Sequence, residues 1–274
     1  MAAPTHGCPG WCRRPDAMAW SSAMDDWFAQ TGSGARFDWG PVGAQRLAAD
    51  IACLVVVDVL SFTTSVTVAV ESGTRVFPHA WRDESASQFA DEMGARLAVG
   101  RRMVTAALPW SLSPAALRCA PFTPRLVLPS PNGSSIAAAA GESMVVAGCL
   151  RNASAVGHWL AQHGYGTLDR PVAVIASGER WPDGSLRPAL EDLLGAGAVL
   201  TALRKQCGGP LSPEAAAAAD CFEATPDVMT AVTSSASGRE LTDGGFAGDV
   251  DIATELDVCD IVPILTDGAF TAAG

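Results

Sequence analysis

The chain has 274 residues, 49% hydrophobic and 17% charged, and a formal net charge of −11. That balance supplies an ample core and excludes intrinsic disorder. The acidic balance, with Lys205 the only lysine and no basic run, argues against nucleic acid as a partner.

Residues 1–34, rich in Gly, Pro, Ser and Ala, read as a flexible N-terminal tail, and 35–274 as one α/β domain. The first strong strand is Cys53 to Leu60, a β-branched run of the kind buried on both faces of a sheet. Helical character follows from Val66 to Glu71, then a strand at Arg75 to Pro78, a helix at Asp83 to Met93 and a short strand at Leu97 to Gly100. Four prolines make 103–124 largely loop. Next come a strand at Arg125 to Leu128, a helix at Ile136 to Ala140, a strand at Ser143 to Ala147 and a helix at Asn152 to Gln162. A strand at Pro171 to Ala176, a long helix at Pro188 to Arg204, mainly helical 212–242 and a last strand at Ile261 to Leu265 complete the chain. This alternation predicts an α/β fold: a mixed, largely parallel sheet with helices on both faces.

No stretch approaches the ~20 apolar residues that span a bilayer, so no membrane is expected. No hydrophobic run follows Arg13 and Arg14, so no signal peptide is expected either. Eight scattered cysteines without a repeated CxxC suit a reduced, cytoplasmic protein. His6, Cys8 and Cys12 lack a fourth ligand at zinc-site spacing. A homodimer is the expected assembly, symmetric pairs being the commonest.

Three strand-to-helix junctions carry the candidate chemistry, because ligands of open α/β sheets bind beyond the carboxyl ends of the strands. The first holds Asp58, Ser61, Thr63 and Thr64. Asp58 in an apolar strand needs compensation, either from a cation or from backbone amides. It reads as a metal-binding or nucleophilic carboxylate, or as an acid satisfied by the backbone. The hydroxyls after it can cap the helix and offer donors to an anion. The second junction, Asn132-Gly133-Ser134, is a tight turn or an anion nest. The third is Ser177-Gly178-Glu179-Arg180 followed by Glu191-Asp192. Adjacent carboxylates on a helix point about 100° apart, so only one can face a given site directly. Both could equally be solvated surface charges, although apolar neighbours draw at least one toward the core. Standard phosphate-binding motifs and GxSxG are absent, and the four histidines show no metal-pair or triad spacing.

In their order and spacing, these segments resemble the 2-phosphosulfolactate phosphatase family from about residue 36 to the end. The matching pieces are Val55 to Leu60 with Thr63-Thr64, Gly100 with Arg102, Ser113-Pro114, and Pro131 to Ser134. Further on they are Gly148 to Val156 with Asn152, Ser177-Gly178, Glu191 to Gly197, then Gly238, Leu241, Gly245, Asp249 and Val262-Pro263. The resemblance implies a Mg²⁺-dependent acid phosphatase that converts 2-phosphosulfolactate to sulfolactate and phosphate in coenzyme M biosynthesis. Two positions depart from the pattern. Ser61 stands where members often carry arginine, and Arg101 where many carry glutamate. Arg101 is the candidate to replace the lost arginine in space.

The expected function is therefore Mg²⁺-dependent hydrolysis of the phosphate ester of a small acid. Asp58 and Asp192 are the expected catalytic pair, with Asp58, Glu191 and Asp192 around the metal. Ser61, Thr63, Thr64, Asn132, Gly133, Ser134 and Gly178 are expected to bind substrate, and Arg102 its carboxylate or sulfonate. The alternatives are a phosphatase or transferase for another phosphorylated metabolite, and a non-catalytic binding protein for a phosphorylated or sulfonated acid.

Overall fold

The computed structural model describes residues 25–80, 83–139, 143–207 and 209–274. Eleven strands form among them: β1 (Ala35–Trp39), β2 (Cys53–Val57), β3 (Arg75–His79), β4 (Arg96–Leu97), β5 (Arg125–Pro129), β6 (Met144–Gly148), β7 (Val172–Ala176), β8 (Glu179–Arg180), β9 (Leu186–Arg187), β10 (Pro263–Thr266) and β11 (Ala269–Ala272). Nine of them make one sheet in the order β1-β7-β2-β6-β10-β11-β3-β5-β4, and β8 with β9 form a separate hairpin. The pairs β1–β7, β7–β2, β2–β6, β3–β5 and β5–β4 are parallel. The β10–β11 hairpin joins the two parallel halves through antiparallel pairing with β6 and β3. The fold is α/β with a mixed, mostly parallel sheet, as the alternation predicts.

The apolar run of β2 is buried throughout because each face meets its own core. Cys53, Val55 and Val57 pack with Leu160, Leu194 and Val199 from one helical layer. Leu54 and Val56 pack on the opposite face with Leu47, Phe62 and Ile136. Side chains alternate across a strand, so a continuous hydrophobic run is what two covered faces require.

Several elements differ from the sequence reading. β1 precedes the first predicted strand and pairs with β7 along its whole length. Its Arg36 and Asp38 break the apolar pattern, yet Arg36 is buried by donating to the carbonyls of Ser33 and Ala29. A helix at Pro114–Cys119 interrupts the expected loop, capped by the Ser113 hydroxyl on the Ala116 amide. The helix expected from Ile136 begins at Gly133. Beyond the predicted last strand, Asp267 and Gly268 both take positive φ, at 50° and 75°, and turn the chain into β11. Two positive φ values in a two-residue loop match the twist of a hairpin.

Of the predicted tail, residues 1–24, with His6, Cys8 and Cys12, lie outside the described residues. Asp25–Phe28 is a short helix, and the Gly34 amide donates to Pro210 O at 2.7 Å. No helix of the described residues is long and apolar enough to cross a membrane.

Candidate active site

Asp58 follows directly on β2 and is 6% exposed. Its Oδ1 accepts the Phe62 amide and its Oδ2 the Gly133 amide, each at 3.0 Å. Phe62 opens the helix Phe62–Glu71 and Gly133 opens the helix Gly133–Ala139. Both donors are thus first-turn amides without an intrahelical partner, which favour a negative charge. Gly133 is required by this approach. A Cβ there would collide with the Phe62 ring and lie 3.0 Å from Asp58 Oδ2.

Asp192 stands in the first turn of the helix Leu190–Cys207. Its Oδ1 accepts the Val59 amide at 2.7 Å and its Oδ2 the Gly178 amide at 2.8 Å. One carboxylate thereby bridges the chain segments leaving β2 and β7, which are neighbours in the sheet. Glu191 is buried as well and accepts the Ser235 hydroxyl at 3.3 Å. Burial of both excludes the solvated-surface reading of this pair. Glu179, at the start of β8, accepts Asn132 Nδ2 at 3.2 Å.

These acids act on one another. Loss of solvation raises the pKa of Asp58, while the Phe62 and Gly133 amides and the Arg101 charge pull it down. Burial, then the charges of Asp58 and Glu191, push Asp192 well above the usual carboxylate range. Burial, with repulsion from Asp58 and Glu191, pushes Glu179 up to about 7.

Other predicted residues take different places. Thr63 and Thr64 are fully buried, and their hydroxyls donate to Asp58 O at 2.9 Å and Val59 O at 2.8 Å. Those protons are engaged by the backbone, where these threonines shape the turn. Ser61 does not cap its helix; Asp58 bonds the first-turn amide instead. Ser61 Oγ accepts Arg101 Nη2 at 2.6 Å. Arg102 is exposed and stacks over Phe246 at 5.5 Å. Arg101, rather than Arg102, bonds Asp249 and Ser61. Glu179 and Asp249 complete the polar cluster. Glu179 lies within one of the junctions read from the sequence, but no apolar flank marks its half-burial.

Two buried hydroxyls in this region, Ser134 Oγ and Ser177 Oγ, have no hydrogen-bond partner. Each belongs to the residue beside an amide that holds a catalytic candidate: Gly133 for Asp58, Gly178 for Asp192. Buried hydroxyls without partners are uncommon and mark a place for a ligand or water. Asn132, Ser177, Gly178 and Glu179 line a cavity of about 330 Å³, walled by Trp39 and Leu186. Of the clustered acids only Glu179 lines it; another cavity, of about 380 Å³ between Val68, Trp110 and Phe122, holds none of them.

Among the described residues, no three His, Cys, Asp or Glu side chains form a preassembled metal-binding group. The chemistry of the donors nevertheless fits magnesium. It takes one or two carboxylates and completes its shell with water and substrate phosphate, and a divalent charge would offset the repulsion among these acids.

The sequence model of 2-phosphosulpholactate phosphatases matches residues 43–268, a span from the helix after β1 to the turn before β11. The chain is 28% identical over 213 residues to a probable 2-phosphosulfolactate phosphatase of Carboxydothermus hydrogenoformans, covering 77% of this chain and 84% of that protein. It is 28% identical over 224 residues to a probable 2-phosphosulfolactate phosphatase of Thermosynechococcus vestitus, covering 77% and 88%. The matched span contains Asp58, the Asn132-Gly133-Ser134 turn, Gly178 and the Glu191-Asp192 pair, and the chain belongs to the 2-phosphosulpholactate phosphatase family.

Proposed function

We propose that this protein is a cytoplasmic, Mg²⁺-dependent phosphatase that hydrolyses 2-phosphosulfolactate to sulfolactate and phosphate, a step of coenzyme M biosynthesis. The observation that carries the reading is the placement of Asp58 and Asp192. Each is held at both oxygens by backbone amides, beside the unpartnered hydroxyls of Ser134 and Ser177.

Asp58 and Asp192, with Glu191 behind them, would hold the cation. Bound there, magnesium supplies positive charge to the phosphoryl oxygens, where phosphoryl transfer demands it. Ser134 and Ser177 would donate to the phosphoryl group. Asp58 is either a cation ligand or the group that attacks phosphorus, and its fixed carboxylate serves both roles. Glu179, with a pKa near 7, can hold a proton at neutral pH for the departing oxygen. Arg101 on the Ser61 hydroxyl supplies a cation where members of the family often carry arginine, which offsets that departure from the pattern.

The test is phosphate release from 2-phosphosulfolactate and a panel of phosphorylated hydroxy acids, with Mg²⁺ and with chelator. Release that needs the cation and is abolished in Asp58→Asn is expected. Full turnover in Asp58→Asn, or in chelator, would refute the reading.

A further inference from the structure

Arg101 lies in the 3₁₀ turn Arg101–Met103, and two of its three guanidinium nitrogens are fixed. Nε donates to Asp249 Oδ2 at 2.9 Å and Nη2 to Ser61 Oγ at 2.6 Å. Nη1 has no hydrogen-bond partner among the described residues. Asp249 is itself immobilised. Its side chain is 1% exposed, and its Oδ1 accepts the Ser113 hydroxyl at 2.5 Å and the Ala115 amide at 3.2 Å. A carboxylate tied to the start of the helix Pro114–Cys119 sets the plane of the guanidinium bound to it. Arginine held this way loses little further freedom on binding an oxyanion.

The side chain of Arg101 remains 18% exposed, so a ligand can reach it. Ser61, its second anchor, lies three residues after Asp58 and at the start of the helix whose first amide holds that acid. A small molecule with its phosphoryl group beside Asp58 would therefore present its other end within reach of this arginine. Arg187 is the competing cation. It donates to Ser237 Oγ at 3.2 Å and stacks over Trp181 at 5.7 Å, and among the described residues no carboxylate fixes its plane.

We propose that Arg101 binds the second oxyanion of the substrate, the carboxylate or sulfonate that sets a phosphorylated acid apart from a plain phosphate ester, and that Asp249 is its positioning residue. This rests on the phosphatase reading and goes beyond it by assigning the preference for acids to one side chain.

The test compares kcat/KM for 2-phosphosulfolactate, 2-phospholactate and the carboxyl methyl ester of 2-phospholactate. In Arg101→Met, one of two preferences should fall by about 100-fold, the cost of removing one partner from a hydrogen-bonded charge pair. Loss of the preference for 2-phospholactate over its methyl ester assigns the carboxylate. Loss of the preference for 2-phosphosulfolactate over 2-phospholactate assigns the sulfonate. Arg101→Lys should retain part of the preference. Asp249→Asn should weaken it through KM more than through kcat. If neither ratio moves in Arg101→Met, or if Arg187→Met moves it instead, the proposal is overturned. If the wild type releases no phosphate from any ester, the phosphatase reading has failed, and titration calorimetry with sulfolactate decides the subsite separately. Binding by the wild type that is lost in Arg101→Met sustains it; equal binding by both, or none by the wild type, overturns it.

Discussion

The carboxylate of Asp192 accepts the backbone amide of Val59 at 2.7 Å across a sequence separation of 133 residues. Its other oxygen accepts the Gly178 amide, so one side chain fastens the ends of two adjacent parallel strands. Asp192→Ala leaves two buried amides without acceptors. Each orphaned group costs about 1–3 kcal/mol, and relief of repulsion from Asp58 and Glu191 offsets part of that. Asp192→Ala should therefore lower stability by about 2 kcal/mol as well as abolish turnover. Urea denaturation at neutral pH measures the first effect; unchanged stability would show that the clamp is unimportant to the fold.

The raised pKa of Glu179 links stability to pH. Its ordinary value is 4.5, and in the folded protein it stands at about 7. The folded state therefore binds this proton more tightly than the unfolded chain does. That contribution is fully present below pH 4.5 and is lost as the pH rises through about 7. The displacement amounts to at most about 3 kcal/mol. In chelator, Tm should fall between pH 5.5 and pH 8, and Glu179→Gln should flatten the fall. Added Mg²⁺ should raise Tm more at pH 8, where the acids are ionised. A pH-independent Tm difference between wild type and Glu179→Gln would contradict this linkage.

Gly133 is the closest backbone approach in the site. An added methyl group meets the Phe62 ring, which is fully buried and packs edge-on against Phe270 at 6.1 Å. Neither ring can retreat without opening the core. Gly133→Ala should cost about 1–3 kcal/mol by overpacking. It should also displace the amide that holds Asp58 Oδ2, reducing kcat by at least about tenfold. Parallel measurement of Tm and kcat tests both; wild-type kcat would show that the Gly133 amide does not orient Asp58.

Much of this architecture is legible in the sequence because it follows from burial. The strands β2 and β7 are continuous apolar runs, and Asp58 stands out as the charge that ends one of them. The Asn132-Gly133 and Ser177-Gly178 turns announce themselves by residue type. What the sequence hides is direction. Arg101 and Arg102 are adjacent and chemically identical, yet one meets Asp249 and Ser61 while the other stacks on Phe246. The partner that separates them, Asp249, is 148 residues away from Arg101. Nor does residue type reveal whether a hydroxyl near a strand end faces a ligand or its own backbone. β1 is illegible in the sequence because the partners of its buried arginine are main-chain carbonyls, which leave no mark in composition.

The hydroxyls give the sharpest contrast between fold and function. Thr64 Oγ1 donates to Val59 O at 2.8 Å, so Thr64→Val breaks a buried hydrogen bond and should cost about 1 kcal/mol of stability. Its proton is engaged by the backbone, and KM should stay within about twofold, because the loss of a ligand contact worth about 1.4 kcal/mol would change it tenfold. Ser134 and Ser177 should behave in the opposite way. Their buried hydroxyls bond no protein group among the described residues, so Ser134→Ala and Ser177→Ala break no hydrogen bond within the protein and should not lower Tm. Each hydroxyl is free of protein partners among the described residues and can donate to an arriving phosphoryl group, so KM should rise about tenfold in either variant. Melting curves of the free proteins beside Michaelis constants separate the two classes. A lower Tm with unchanged KM in the serine variants would place Ser134 and Ser177 among the structural hydroxyls with Thr64.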